Sequence, residues 1–219
     1  MEENKKRGIW RLAGMDEDWQ KRTKICAGAV ILQGFFLSFL IKIGFGTDPC
    51  TFMNVSIAGR IGWTLGNWQL LLNICLLAAV VLTSRLQYLG FGTTANMVLI
   101  GYTADFCCYL WNHWIPETIF MQNGTKIPLF VVTLTGFLVF AAMYMNSGLG
   151  QSPYDAPPSI IRDHLPKIPY VVIRICWDFA AILIGMAAGG RPTVGNIIMA
   201  VALGPVISAI GRWMKKWLT

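Results

Sequence analysis

The chain has 219 residues, of which 55% are hydrophobic and only 13% are charged, and its formal net charge is +7. Soluble domains carry about 25% charged residues, so a chain this apolar has too few polar side chains to cover a surface that faces water. The composition therefore excludes an ordinary soluble protein and favours one that a lipid bilayer solvates.

Lysine and arginine are concentrated at the two ends of the chain. Residues 1–24 form a polar, basic segment, and residues 213–219 form a short basic tail. Basic segments beside membrane spans are typical of the cytoplasmic side, where they face anionic lipids. We therefore expect both termini in the cytoplasm, a lipid bilayer as the surrounding medium, and no nucleic-acid partner.

Six stretches are long and apolar enough to be membrane-spanning helices, which need about 20 residues each. Strands are not expected, because the apolar runs are long and lack a two-residue alternation. A loop on the outer side is predicted to connect the third and fourth spans at residues 115–127. The predicted spans cover residues 25–43, 66–83, 94–114, 128–147, 169–188 and 193–211.

The two halves of the chain, residues 25–114 and 128–212, carry similar motifs in the same order. The first span ends in GFGTDP and the fourth in GLGQSP, and both match G-x-G-x-x-P. TTAN opens the third span and TVGN opens the sixth. Because each half holds three spans, the second copy would enter the membrane from the opposite side. The sequence therefore predicts an all-α polytopic membrane protein built as a 3+3 inverted-topology repeat, an arrangement common in secondary transporters.

Each G-x-G-x-x-P segment predicts a turn followed by the start of a helix. Glycine permits a sharp turn, Asp48 or Ser152 is a good N-cap, and Pro49 or Pro153 is a good first helical residue. The helices that would follow are too short to span, and two alternatives stay open for them. They are re-entrant half-helices whose N-termini suit an anion or carboxylate, or amphipathic helices that lie flat on opposite surfaces. These short segments are residues 50–61 and 154–164.

Arg174 and Asp178 are two charged residues inside the fifth span. Each costs roughly 2.5–3.5 kcal/mol to insert, so such residues are paired or face a polar cavity. Their spacing of four places both on one helix face, as it does for Gln69 and Asn73 in the second span. Arg174 and Asp178 could form a structural ion pair, or Arg174 could receive the charge of a solute while Asp178 tunes it. Gln69 and Asn73 could bind the solute or join helices by hydrogen bonds.

Asp105 lies in the middle of the third span and has no partner one turn away on its own helix. A lone acid in lipid favours its protonated form, which suits proton coupling. The alternative is an ion pair with Arg174 across the bundle. Asn96 and Asn196 lie at the starts of the third and sixth spans, where they could cap, pack or line a site.

The chain lacks the residue patterns of an enzyme. The six cysteines include no C-x-x-C pair, and neither histidine has a nucleophile or carboxylate at a useful spacing. We therefore expect no catalytic residues, no metal site and no cofactor.

Several of these motifs resemble the YitT/YczE-like family of bacterial multispanning membrane proteins. The resemblance rests on GFGTDPCT at residues 44–51, GWTLGNWQLLLN at 62–73, GFGTTANMVLIGYTADF at 90–106 and GLGQSPYDA at 148–156. It covers nearly all of the chain after Lys24, although Pro157 and Pro158 depart from the regular apolar pattern of the family. The resemblance implies a six-span protein of the bacterial inner membrane that is transporter-like, and it carries over no substrate and no site residues.

The combined observations predict a small secondary transporter for a small polar solute, with an anionic one favoured, bound between the two repeats. A non-transporting accessory or regulatory partner of a larger complex and a channel are the alternatives, and a homodimer is left open. Asp105 is the candidate for proton coupling. The predicted solute site comprises Gly44, Gly46, Asp48, Pro49, Gln69, Asn73, Asn96, Gly148, Gly150, Ser152, Pro153, Asp155, Arg174, Asp178 and Asn196.

Overall fold

The structure, a computed structural model, describes residues 17–84 and 88–218, and the regular secondary structure of these ranges is entirely helical. Residues 1–16 of the predicted basic segment and the last residue of the predicted tail lie outside the described residues. In chain order the helices are α1 (Glu17–Ile43), α2 (Pro49–Ile61), α3 (Leu65–Ser84), α4 (Phe91–Trp114), α5 (Thr118–Met121), α6 (Asn123–Asn146), α7 (Ala156–His164), α8 (Tyr170–Ala187) and α9 (Val194–Leu218).

Five of these helices, α1, α3, α6, α8 and α9, are long and apolar enough to cross a membrane. The third predicted span coincides with α4, which has 24 residues but is not one of the five. Its sequence includes the polar residues Thr93, Asn96 and Asp105, which lower the hydropathy of its apolar stretch. The all-α class is therefore confirmed, whereas the arrangement of six spans as a 3+3 repeat stays a prediction.

Several helix ends differ from their predicted positions. Helix α1 begins at Glu17, inside the predicted basic segment, and α9 continues to Leu218, through most of the predicted tail. No proline or glycine lies between these helix ends and the apolar runs. The helical hydrogen bonding therefore continues beyond the apolar residues. The predicted loop at 115–127 contains α5 and the first turn of α6, which begins at Asn123.

Helix α1 packs against both α4 and α6. Its buried residues Leu37 and Leu40 belong to one apolar core that all three helices share. Gly34 faces α4 so closely that a Cβ there would lie 2.9 Å from the carbonyl oxygen of Ile100. Gly136 of α6 occupies the matching position against the ring of Phe36, at 2.7 Å. Both halves of the chain therefore contribute a glycine where a helix approaches its neighbour.

Helix α2 packs against α8, and it also contacts α3 and α9. The predicted start of α2 is confirmed: Asp48 is the N-cap, and its carboxylate accepts a hydrogen bond from the Thr51 amide at 3.1 Å. A Cβ on Gly185 of α8 would lie 2.6 Å from the ring of Phe52. A whole helix face of α2 is therefore covered by protein.

Helix α7 begins at Ala156 with Asp155 as the N-cap, so the prediction of Ser152 as N-cap and Pro153 as first residue is wrong. A helix that began at Pro153 would place Pro157 and Pro158 in its interior. Proline there removes a hydrogen bond and clashes with the preceding turn. With Ala156 first, both prolines fall in the first turn, where amide hydrogens have no intrahelical partner.

Candidate functional site

The turn after α1 is tied to the start of α9 through backbone and side-chain contacts. Gly46 has φ +128°, and a Cβ on it would lie 2.6 Å from the backbone nitrogen of Asn196. The Thr193 hydroxyl donates to the Phe45 carbonyl at 2.5 Å, and the Asn196 amide donates to the Thr47 carbonyl at 2.9 Å. The turn can therefore lie this close to α9 only with glycine at position 46.

The turn after α6 makes corresponding contacts with the start of α4. Gly150 has φ +107°, and a Cβ on it would lie 2.7 Å from the Thr93 hydroxyl oxygen. That hydroxyl donates to the Gln151 carbonyl at 2.7 Å, and the Gly92 amide donates to the Leu149 carbonyl at 2.8 Å. Each glycine turn thus docks on the first turn of the last long helix of the other half.

A cavity of about 60 Å³ lies between the helices, beside the N-termini of α2 and α7. This is enough space for a few water molecules or a small solute. Six of the predicted solute-binding residues line it: Asp48, Gln69, Asn96, Ser152, Asp155 and Arg174.

The other predicted solute-binding residues do not line this cavity. Gly44, Gly46, Gly148 and Gly150 shape the two turns with positive φ angles, and Asn196 is engaged with the backbone of the first turn. Asp178 lies behind Arg174 and is 0% exposed. The predicted residues outside the lining are Gly44, Gly46, Pro49, Asn73, Gly148, Gly150, Pro153, Asp178 and Asn196.

The charged part of the site is a buried cluster centred on Arg174, which is 5% exposed. Its Nη1 donates to Asp155 Oδ1 at 2.6 Å, and its Nε donates to Asp178 Oδ2 at 3.0 Å. The Tyr154 hydroxyl donates to the other oxygen of Asp178 at 2.9 Å, and the Ser152 hydroxyl donates to the other oxygen of Asp155 at 2.6 Å. All four carboxylate oxygens are therefore satisfied, and Arg174 is shared between two acids rather than facing the cavity alone.

Other polar atoms at the cavity are buried and lack a hydrogen-bond partner among the described residues. They are the side-chain oxygens of Gln33, Gln69 and Tyr144 and the Oδ1 atom of Asp48. Buried polar groups are nearly always hydrogen-bonded, and an unsatisfied one costs about 1–3 kcal/mol. Four such atoms around one cavity indicate that water or a polar solute occupies it.

Sequence reasoning missed five polar residues of the lining. Gln33 carried a usable signal, because it is the lone amide within the apolar run of α1. Cys50 and Thr51 follow directly from the start of α2, once that helix is known to point its N-terminus at the cavity. The two tyrosines had no signal, since their positions depend on the packing of α6 and of the turn before α7. The missed residues are Gln33, Cys50, Thr51, Tyr144 and Tyr154.

Asp105 lies outside the cavity and caps the start of α3. Its carboxylate accepts hydrogen bonds from the amides of Leu65 at 3.2 Å and Gly66 at 2.7 Å. The expectation of an isolated acid or of an ion pair with Arg174 is therefore wrong, because the exposed amides of a helix N-terminus supply the partners. Its role in proton coupling stays a prediction.

Asp105→Ala should lower the free energy of unfolding by about 1–3 kcal/mol, because two amides of α3 lose a charged acceptor. Asp105→Asn should cost less than alanine, because its one side-chain oxygen can still accept the bond from Gly66, although the bond from Leu65 is lost. Thermal unfolding of the two purified variants checks this. Equal losses for alanine and asparagine would contradict the capping role.

Residues 20–212 of the chain match a family of unknown function (DUF6198). The chain is also similar to two proteins of Bacillus subtilis (strain 168). It is 26% identical to the uncharacterized membrane protein YczE over 184 residues, which are 83% of this chain and 80% of that protein. It is 26% identical to the uncharacterized protein YyaS over 136 residues, which are 61% of this chain and 65% of that protein. No solved structure matches. The resemblance to a YczE-like family is thereby confirmed.

Proposed function

Because the chain belongs to DUF6198, a family whose function is unknown, we propose a function from its site: it is a secondary transporter that binds a small polar solute in the cavity between its two halves. The protein is a multi-pass membrane protein. The observation that carries the proposal is the set of four buried, unsatisfied polar atoms on residues that line one cavity between the helices. We further propose a bacterial inner membrane as its location, with both termini in the cytoplasm.

The correspondence between the halves supports transport. Secondary transporters commonly hold the solute where two inverted repeats meet, close to discontinuous helices. Here the lining draws on both halves, for example on Gln33, Gln69 and Asn96 from the first and on Tyr144 and Arg174 from the second. The paired docking of each glycine turn on the opposite half is what a 3+3 inverted repeat would produce. In the proposal, α2 and α7 are the re-entrant half-helices rather than surface helices.

The proposed solute differs in charge from the one that the sequence predicts. The sequence favours an anionic solute, because Arg174 and the positive N-terminal ends of the two half-helices could receive its charge. The guanidinium group of Arg174 is already held by Asp155 and Asp178, within 2.6 and 3.0 Å. The proposed solute is therefore a small polar one, and Arg174 is assigned to positioning the acids.

Gln69→Leu tests the cavity without adding or removing charge. Removing a buried, unpartnered amide should leave the unfolding temperature unchanged or higher, because nothing in the protein loses a hydrogen bond. If the solute takes that hydrogen bond, its half-saturation concentration should rise about three- to tenfold. The measurement is uptake of labelled small ions, amines, amino acids and sugars into liposomes that contain the purified protein.

The matched control is Gln122→Leu, the same replacement at an exposed position outside the cavity. It should transport like the unaltered protein. If protein that is folded and correctly inserted takes up none of the solutes, the transport proposal is overturned and an accessory role is favoured. Unaltered uptake by Gln69→Leu would show that the solute passes elsewhere.

A further inference from the structure

The cavity carries more negative than positive charge. Asp48 and Asp155 line it, and Asp178 lies behind Arg174. Among the described residues, Arg174 is the one basic residue within hydrogen-bonding distance of these acids. The N-termini of α2 and α7 each add about half a positive charge. With all three acids ionised, about one negative charge is left without compensation.

The uncompensated charge is best assigned to Asp48. Its Oδ2 atom caps α2, while its Oδ1 atom is buried at the cavity and has no partner among the described residues. The oxygens of Asp155 and Asp178, in contrast, are all taken up by Arg174, Ser152 and Tyr154. Asp48 Oδ1 is therefore the free charged acceptor of the cavity.

The neighbouring unsatisfied atoms are also acceptors in the side-chain orientations described. Gln33 and Gln69 present their amide oxygens, and the Tyr144 hydroxyl can accept as well as donate. Acceptors that line the same cavity as a carboxylate suit a solute with a positive charge, either one that donates hydrogen bonds or a metal ion that oxygen atoms coordinate. The small volume, about 60 Å³, favours a small cation over a large organic one.

We infer that the cavity binds a small monovalent cation, a primary ammonium group or an alkali metal ion, with Asp48 Oδ1 as its charged ligand. This inference rests on the proposed function in taking the cavity as the solute site. It adds that the solute is small and positively charged, and it identifies Asp48 as the residue that selects it.

The test measures binding to the purified full-length protein by thermal unfolding, since a ligand that binds only the folded state raises the unfolding temperature. The added salts are ammonium, methylammonium, sodium and potassium chloride, with choline chloride keeping the ionic strength constant. Sodium formate and sodium acetate supply the anion arm and are compared with sodium chloride. We expect the unfolding temperature to rise with the concentration of at least one of the small cations. We expect no rise that depends on the anion. Comparison of the ammonium and alkali arms identifies which cation is bound.

Asp48→Asn is the decisive variant because asparagine keeps the helix cap and the side-chain volume while removing the charge. The dissociation constant of the cation should rise at least tenfold in Asp48→Asn. It should stay within twofold in Asp163→Asn, a matched change at an exposed acid that is bound to Arg162 and Tyr88 outside the cavity. No cation response in the unaltered protein, an unchanged response in Asp48→Asn, or stabilisation by the anions instead would overturn the inference.

The liposome assay separates this inference from the proposed function. Cation binding that depends on Asp48, without uptake of any solute, would uphold the cation site and overturn transport. Uptake of an anion or sugar by a protein that binds no cation would uphold transport and overturn the cation site.

Discussion

Arg174→Ala is expected to lower the free energy of unfolding by about 3–5 kcal/mol, because it leaves Asp155 and Asp178 buried without their shared cation. The variant should express poorly or unfold at a much lower temperature than the unaltered protein. Thermal unfolding in detergent, followed by size-exclusion chromatography, measures the loss.

Arg162→Ala is the matched control, since Arg162 is half exposed and pairs with the exposed Asp163. Surface pairs of this kind contribute about 0–1 kcal/mol. A triple variant, Arg174→Met with Asp155→Asn and Asp178→Asn, removes the charges together and should be more stable than Arg174→Ala. If Arg174→Ala were as stable as Arg162→Ala, the buried cluster would not hold the site together.

Gly46→Ala is the second change expected to have a large effect. Alanine at φ +128° is strained, and its Cβ would lie 2.6 Å from the Asn196 backbone nitrogen and the Thr193 hydroxyl oxygen. The strain and the overpacking each cost about 1–3 kcal/mol, so the unfolding temperature should fall clearly. Because the turn also leads into Asp48, solute uptake should fall with it.

Gly59→Ala supplies the control for this glycine. Gly59 lies inside α2, and a Cβ there would meet nothing within 4 Å. Alanine in a helix interior is favoured over glycine by about 0.5–1 kcal/mol, so this variant should be as stable as the unaltered protein or slightly more so. A Gly46→Ala variant as stable as Gly59→Ala would mean that the turn does not dock on α9 as described.

The long helices were predictable because they depend on local sequence. Apolar runs of sufficient length identified six long helices, each of which overlaps one predicted span, and the Asp48–Pro49 pair identified the start of α2. Helix ends were less predictable, because they follow the nearest stop signal and not the last apolar residue. The late start of α7 follows from Pro157 and Pro158, whose departure from the family pattern the sequence already displayed.

The site was predictable only in part, because its residues come from helices far apart in the chain. Motifs repeated in both halves indicated Asp48, Gln69, Asn96 and Arg174, and these residues line the cavity. The same reasoning also selected Asn196, which the structure uses to hold a turn. Helix rotation and packing determine which polar residue faces the cavity and which one holds the backbone. A short sequence motif specifies neither the rotation nor the packing.

The function of Asp105 could not be derived from its own helix. Its partners are the amides of Leu65 and Gly66, some forty residues earlier in the chain. A search for side-chain partners one turn away cannot detect a carboxylate that caps a neighbouring helix. The same limit applies to Arg174 and Asp155, whose contact depends on the turn before α7.

The most direct test of the account is the side of the membrane on which the two half-helices end. Arg60 near the end of α2 and Arg162 near the end of α7 are both exposed. Each is replaced singly by cysteine in a variant whose six native cysteines have been removed, and intact cells are treated with a membrane-impermeant maleimide. Two halves inserted in opposite senses predict that Arg60→Cys is labelled from outside and Arg162→Cys only after the cells are opened. Labelling of both from the same side would contradict the inverted halves and, with them, the solute cavity between them.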